Sequence, residues 1–184
     1  MNIPKLSKKP ITKSCHNITW EDDYAWIHQD NILDVLKDGQ KLLPEVKKYL
    51  NGENSYTEKK MADTKLLQKK LFDEIKSRIK LADESLPYKD LKYEYWTKVT
   101  KEGNYSKRLR RKIGSDKVEI YWDGDLEAKG KKYFNTGDVS VSNNDDYLAY
   151  STDEKGSEYF TIYVRRISDN KIIGEPIYNT SGGI

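Results

Sequence analysis

The stretch Ser142-Asn143-Asn144-Asp145-Asp146-Tyr147-Leu148-Ala149-Tyr150-Ser151 places a polar turn directly before an apolar strand pattern. A second strand pattern follows at residues 160–164, and a third strand closes after the turn Asp169-Asn170. Three antiparallel strands joined by tight turns are typical of one blade of a β-propeller, whose blades hold about four strands. The same pattern fits a meander in a β-sandwich, so the residues alone leave both architectures open.

The strand pattern extends upstream from this stretch to about residue 85. At residues 91–98, mostly apolar or aromatic side chains alternate with mostly charged ones, which is the period of two that a β-strand imposes. Short turn signals separate several further runs of the same kind. We therefore predict strands at residues 105–113, 118–122, 139–141, 147–151, 160–167 and 171–177.

Residues before this point have a helical pattern instead. Apolar side chains recur every four residues and predict an amphipathic helix over about residues 55–79. The residues of its apolar stripe are Leu66, Leu67, Leu71, Phe72, Ile75 and Ile79. Pro44 at a first helical position, with Asn51-Gly52 as a stop signal, predicts a shorter helix at residues 44–50. A further helical turn is predicted at residues 31–37.

Composition excludes several classes of function. The 33 basic and 30 acidic residues leave a net charge of +3, and the densest basic run, Lys107-Arg108-Leu109-Arg110-Arg111-Lys112, accompanies no nucleic-acid-binding motif. We interpret that run as a solvated strand and predict no nucleic-acid partner. No apolar stretch approaches the roughly 20 residues of a membrane helix, and the N-terminus has no secretory apolar region. The prediction is a cytoplasmic protein without a membrane partner.

The candidate catalytic and metal-binding residues are few. The only histidines are His16 and His28, the only cysteine is Cys15, and no Gly-x-Ser-x-Gly elbow occurs. These residues lack the paired spacing of zinc ligands. The acidic pairs Asp22-Asp23 and Asp145-Asp146 lack the remainder of a calcium loop and are predicted to be a cap and a turn. The sequence therefore predicts no catalytic, cofactor-binding or metal-binding residue.

A series of segments begins at Asp23-Tyr24-Ala25-Trp26-Ile27 and continues in order to the end of the chain. The later segments are Tyr49-Leu50-Asn51-Gly52-Glu53-Asn54-Ser55-Tyr56, Leu71-Phe72-Asp73-Glu74-Ile75, Asp83-Glu84-Ser85-Leu86-Pro87, Leu148-Ala149-Tyr150-Ser151-Thr152-Asp153-Glu154-Lys155-Gly156-Ser157 and Thr180-Ser181-Gly182-Gly183. Together they resemble the N-terminal part of the prolyl oligopeptidase family, in its oligopeptidase B (protease II) branch. Asp23 stands where that family has a proline, so the start of the first helix is expected to be looser.

The resemblance implies an α+β chain with three parts. Residues 1–21 would be an N-terminal extension, and residues 22–84 would be helices that pack on an α/β-hydrolase domain. Residues 85–184 would form about the first two blades of a β-propeller. The intact protein would be a cytoplasmic serine endopeptidase that cuts short peptides after Lys or Arg. The family's catalytic Ser, Asp and His have no counterpart in these residues, so the chain alone is expected to be inactive.

Two alternatives remain open at this point. The chain could be a non-catalytic module that complements a separately encoded catalytic half, or a degenerate remnant. A generic all-β interaction domain would require the order of the segments to be coincidental. In each case the apolar stripe and the open sheet edges would lack their partners, so we expect the isolated chain to be marginally stable and to self-associate.

Overall fold

The computed structural model describes residues 2–184, which form two compact units. The first unit ends at Arg78, and the second covers Ile79–Ile184. The finer division predicted from the sequence, with limits after residues 21 and 84, stays a prediction. Within the described residues, no helix has both the length and the apolar character needed to cross a bilayer.

The first unit opens with a β-hairpin that the sequence analysis missed. Strand β1 (Ile11–Cys15) pairs antiparallel with β2 (Ile18–Asp22). The turn residues His16 and Asn17 have φ angles of 49° and 63°, as a two-residue hairpin turn of type I′ requires. Every residue of the two strands except Asp22 is exposed. The hairpin therefore has no buried face, and no alternation of apolar residues marks it in the sequence.

Three α-helices follow: α1 (Ile32–Lys37), α2 (Pro44–Lys60) and α3 (Lys65–Ser77). Single 3₁₀ turns lie at Ala25–Ile27, Gly39–Lys41 and Ala62–Thr64. Helix α1 confirms the helical turn predicted near residue 31. The single helix predicted over residues 55–79 is instead the end of α2, a 3₁₀ turn and α3, so its position is only partly right.

Helix α2 overturns the stop predicted at Asn51-Gly52, because the helix continues for two further turns beyond Gly52. A glycine inside a helix costs only about 1 kcal/mol relative to alanine, which tertiary contacts can offset. A Cβ on Gly52 would lie 3.7 Å from two ring carbons of Pro4. That distance is an ordinary van der Waals contact, so the N-terminal segment lies against α2 at this point, a tertiary contact that local sequence signals do not reveal.

The second unit contains two antiparallel sheets. The strands of the first are β3 (Asp83–Glu84), β4 (Tyr88–Asp90), β5 (Tyr93–Val99), β6 (Lys107–Lys112) and β7 (Val118–Asp123). Their order is β3-β5-β6-β7, and β4 pairs with the other half of β5. Asp83 lies opposite Val99, whereas Tyr88 lies opposite Tyr95. The short strands β3 and β4 therefore act together as one edge strand of a four-stranded meander.

Helix α4 (Gly124–Ala128) leads to the second sheet, whose strands pair in chain order. They are β8 (Asn135–Val141), β9 (Tyr147–Asp153), β10 (Phe160–Arg166) and β11 (Ile177–Thr180). The strand predicted at residues 171–177 is wrong, since Ile172 makes only an isolated bridge with Arg165. Gly174 has a φ of 72°, and Pro176 has no N–H to donate, so regular pairing starts after them.

Aromatic side chains form most of the core between the two sheets. The buried cluster consists of Tyr95, Tyr121, Trp122, Phe134, Val139, Leu148 and Tyr150. The ring centroids of Trp122 and Tyr150 lie 4.8 Å apart, and those of Tyr95 and Tyr121 lie 5.6 Å apart in an edge-to-face arrangement. Such pairs bury large areas and add about 0.5–1.5 kcal/mol each beyond that burial. Aromatic residues thus supply a core in a chain with only 36% hydrophobic residues.

The carboxylate of Asp153 organises the turn between β9 and β10. Its side chain is buried and accepts hydrogen bonds from the backbone N–H groups of Lys155 (2.8 Å), Gly156 (3.1 Å) and Glu158 (2.8 Å). Glu158 has a φ of 59°, an unusual conformation for a residue with a side chain. The carboxylate therefore satisfies the donors of a turn that the backbone alone would not hold.

We predict that Asp153→Ala lowers the free energy of unfolding by about 3 kcal/mol, because it leaves several turn donors without an acceptor. Asp153→Asn, which keeps one acceptor oxygen, should cost less. Urea titration followed by tryptophan fluorescence measures both. The control is Glu154→Ala, since Glu154 makes only a partly exposed ion pair with Lys131, worth less than about 1 kcal/mol. Equal losses for Asp153→Ala and Glu154→Ala would contradict the assignment.

Candidate functional site

The cysteine and histidines singled out in the sequence lie in the first unit. Cys15 is exposed at the end of β1, and His16 begins the hairpin turn beside it. His28 follows the first 3₁₀ turn and lines an open cleft of about 790 Å³ together with Trp26 and Gln29. Within residues 2–184, no three His, Cys, Asp or Glu side chains are grouped so as to hold a metal ion.

The acidic pair Asp22-Asp23 serves local structure but is not the predicted cap, because the 3₁₀ turn that follows has Tyr24 at its N-cap position and no side-chain cap. Asp22 accepts a hydrogen bond from the backbone N–H of Tyr24 at 3.0 Å. Its carboxylate also forms an ion pair with the Lys13 ammonium group at 2.8 Å. The Lys13 hydrogen bond, with the Tyr24 amide, lowers the pKa of Asp22. Asp23 pairs with Lys8 at 2.5 Å. Both carboxylates thus anchor the chain entering and leaving the hairpin.

The basic run in β6 is not the solvated strand that the sequence predicted. Arg110 is only 5% exposed. Its Nε lies 3.1 Å from a carboxylate oxygen of Glu119, and its Nη1 donates to the backbone carbonyl of Asp145 at 2.8 Å. Its guanidinium carbon also lies 4.2 Å from the ring centroid of Tyr93. The interpretation as a solvated strand is therefore wrong at Arg110, whose buried charge is compensated by partners that tertiary structure brings together.

Asp145 likewise does more than complete a turn. It has a φ of 65° between β8 and β9, and its Oδ1 accepts a hydrogen bond from the Tyr95 hydroxyl at 2.9 Å. Burial, followed by this hydrogen bond to Asp145, raises the pKa of Tyr95 well above its ordinary value. Asp145 belongs to the second sheet and Tyr95 to the first. The turn is therefore fixed by a polar connection across the junction of the sheets.

A second connection crosses the same junction at Arg165 of β10. Its Nη1 lies 2.6 Å from a carboxylate oxygen of Glu127 in α4. Its guanidinium carbon lies 5.1 Å from the ring centroid of Tyr150 and 5.6 Å from that of Trp122. Burial, with the nearby Glu127 charge, raises the pKa of Tyr150 to about 12. Sequence reasoning missed this cluster because Arg165 and Glu127 lie far apart in the chain and neither forms part of a local motif.

Asp123 joins the end of β7 to α4. Its side chain caps the helix by accepting from the Leu126 N–H at 3.2 Å, and it pairs with Lys107 at 2.6 Å. Burial alone would raise the pKa of Asp123, but the hydrogen bonds from Lys107 and Leu126 outweigh it, so the pKa is lowered. The carboxylate is therefore more stable in its charged form in the folded chain than in the unfolded one.

The surface that most resembles an interaction site lies on α3. We define the α3 stripe as Leu66, Leu67, Leu71, Phe72 and Ile75. All five side chains are exposed, from 47% at Leu71 to 85% at Leu66. Neighbouring apolar side chains exposed along one helix mark a protein interaction surface more often than a free one. The stripe predicted from the sequence is thus present, and it is uncovered in this chain.

Known proteins align with nearly the whole chain. The family model described as "Prolyl oligopeptidase, N-terminal beta-propeller domain" matches residues 4–184. Dipeptidyl aminopeptidase BI of Pseudoxanthomonas mexicana is 31% identical over 96% of this chain and 25% of its own length. Protease 2 of Moraxella lacunata is 21% identical over 97% of this chain and 25% of its own length. The chain thus spans about a quarter of the length of these relatives.

Solved structures agree with this match. Oligopeptidase B from Leishmania major superposes with a TM-score of 0.82 and 27% identity, over 99% of this chain and 27% of that protein. Oligopeptidase B from Trypanosoma brucei, at 24% identity, has the same fold with a TM-score of 0.79 over 98% of this chain and 26% of that protein. The two antiparallel sheets therefore belong to an N-terminal β-propeller portion and not to a β-sandwich.

We predict that Asp123→Asn loses its destabilising effect as the pH falls. Because the folded-state pKa of Asp123 lies below its unfolded value of about 3.9, its contribution is present above that value and disappears as the pH falls through the folded pKa. The difference in unfolding free energy between the wild type and Asp123→Asn should therefore shrink from pH 7 to about pH 2.5. Urea titrations at several pH values measure it, with Lys107→Gln as the companion variant. A difference independent of pH would contradict the prediction.

The α3 stripe predicts self-association of the isolated chain. We expect the double variant Leu71→Lys/Ile75→Lys to increase the monomer fraction, since two charges interrupt the exposed apolar surface. Its unfolding free energy should change by less than about 0.5 kcal/mol, because both side chains are exposed. Sedimentation velocity measures the first quantity and urea titration the second. The matched control is Lys69→Gln, which lies on the side of α3 opposite Leu71. A wild type that stays monomeric at all concentrations would refute the prediction.

Proposed function

The chain belongs to the prolyl oligopeptidase family, and on that premise we propose that it forms the N-terminal scaffold of a serine peptidase that hydrolyses short peptides after Lys or Arg. The observation that carries this proposal is the family match over residues 4–184, at about a quarter of the length of the relatives. Likeness to oligopeptidase B supports the choice of basic residues as the cleavage site. A cytoplasmic location is part of the same proposal.

The α3 stripe supports a docking role for the first unit. An amphipathic helix in water gains little from an apolar face that stays exposed, whereas burying one large aliphatic side chain contributes about 1.5–3 kcal/mol. We propose that the stripe packs on the α/β-hydrolase domain that would carry the catalytic Ser, Asp and His. The first unit would then be ordered mainly by this contact, because Gln29 and Val46 are its only buried side chains among the described residues.

The two sheets of the second unit support a role in substrate selection. As the first blades of a propeller, they would form part of a wall that admits short peptides and excludes folded proteins. Their junction is held by buried aromatic rings, by the ion pair of Arg165 with Glu127 and by the hydrogen bond of Arg110 to the Asp145 carbonyl, which suits a rigid barrier. In this proposal the second unit restricts access to the active site and takes no part in the acyl transfer itself.

The test starts from the protein isolated by a tag at the N-terminus of its own gene. We expect either a polypeptide about four times as long as this chain or a stoichiometric complex with a separate catalytic chain. A fluorophosphonate probe should label the serine of that assembly. The assembly should cleave N-terminally blocked peptides after Arg faster than after Pro or neutral residues. Isolation of a 184-residue polypeptide without any labelled partner would contradict the proposal and favour a degenerate remnant.

Two controls sharpen this experiment. A peptide with a free N-terminus separates endopeptidase action from the dipeptidyl aminopeptidase action for which the Pseudoxanthomonas relative is named. In the isolated assembly, Leu71→Lys/Ile75→Lys should lower probe labelling and activity by weakening the docking of α3. Lys69→Gln, on the opposite side of α3, should leave both unchanged. Equal activity for the two variants would argue against the docking role of the stripe.

A further inference from the structure

A polar cleft opens where the two sheets of the second unit meet. Its volume is about 480 Å³, within the range of small-molecule sites in proteins. The residues that matter for its chemistry are Arg110, Glu119, Ile120, Asp145, Asp146 and Ile167. They come from β6, β7, the β8–β9 turn and the residue that follows β10, so the cleft exists only when both sheets are in place.

The lining of this cleft has an excess of negative charge. Three carboxylates, those of Glu119, Asp145 and Asp146, stand against the single guanidinium of Arg110. Arg110 is already engaged, since its Nε pairs with Glu119 at 3.1 Å and its Nη1 donates to the Asp145 carbonyl. No cationic side chain in the lining is therefore left to neutralise the carboxylates of Asp145 and Asp146. A positively charged ligand would balance this excess of negative charge.

One carboxylate oxygen lacks a hydrogen-bond donor. The exposed fraction of Asp145 is only 6%, and its Oδ1 accepts a hydrogen bond from the Tyr95 hydroxyl. Its Oδ2 is buried and has no hydrogen-bond partner among the described residues. A buried carboxylate oxygen without a donor has lost its hydration and gained no hydrogen bond in return, so a donor supplied by a ligand would stabilise it. Because the terminal torsion of an aspartate is soft, a donor in the cleft could engage this oxygen with little rearrangement.

We propose that this cleft binds an alkyl ammonium or alkyl guanidinium group, as found in a Lys or Arg side chain of a peptide or in a free amine. The cationic head would donate to Asp145, and the aliphatic stem would lie against Ile120 and Ile167. A metal ion is a poorer fit, because no group of three His, Cys, Asp or Glu side chains within residues 2–184 could hold one. The proposal concerns binding and does not depend on peptidase activity.

Isothermal titration of the native protein tests this proposal with N-acetyl-arginine amide, agmatine and the uncharged N-acetyl-citrulline amide. We expect the two cationic probes to bind and the citrulline probe not to bind. Tighter binding of N-acetyl-arginine amide would identify a peptide side chain as the ligand. Tighter binding of agmatine would identify a free amine. Asp145→Asn should weaken binding about tenfold or more, since it removes the charge that faces the ligand. Asparagine tolerates the positive φ of Asp145, so the turn is kept.

A second pair of variants excludes loss of folding as an explanation. Ile120→Lys would place an ammonium group at the cleft and should abolish binding, whereas Val118→Lys on the same exposed face of β7, outside the cleft, should not. Binding at a catalytic site elsewhere in the native protein would be insensitive to both variants. The proposal is overturned if the citrulline probe binds equally well, if Ca²⁺ displaces the cations, or if Ile120→Lys and Val118→Lys behave alike.

Discussion

Buried charge is the constraint on which the second unit depends. A chain with 34% charged and 36% hydrophobic residues cannot close a core from aliphatic side chains alone. Arg110, Asp145, Asp153 and Arg165 are all buried. An unpaired ion in such an environment costs several kcal/mol, so each of these side chains requires a partner at a defined position. The ion pairs and hydrogen bonds of Arg110 and Arg165 therefore help to fix the two sheets relative to each other.

Two of these buried side chains reach beyond their own sheet. Arg165 of β10 reaches Glu127 in α4 and the ring of Trp122 in β7, and Arg110 of β6 reaches the β8–β9 turn. Hydrophobic packing tolerates small shifts between two sheets, whereas a guanidinium with several partners does not. Aromatic rings suit this arrangement because they bury area and also accept a cation on their faces. The polar character of the chain is thus reconciled with a specific packing of its sheets.

Local patterns in the sequence were sufficient for most of the second unit. The alternation at residues 91–98 and the Asn144-Asp145 turn correctly predicted β5 and the β8–β9 turn, and the family resemblance decided between a propeller and a sandwich. The sequence could not predict which charges are buried, because Arg110 and Arg165 acquire their partners only through tertiary contacts. It also missed the β1–β2 hairpin, which has no buried face, and the continuation of α2 through Gly52, where Pro4 lies against the helix. Nothing local to Asp145 or Ile120 marks the cleft between the sheets.

The two units differ in what holds them together, and this difference bears on their roles. The second unit buries its own aromatic core and pairs Arg110, Arg165 and Asp153 within itself. The first unit buries few side chains and keeps the α3 stripe exposed, although that stripe is its most apolar surface. A helix of this kind is stabilised mainly by tertiary packing and little by intrinsic propensity. The order of the first unit therefore rests on fewer contacts of its own than that of the second. Within one chain, a unit with few buried contacts opens at a lower free energy than one with a packed core.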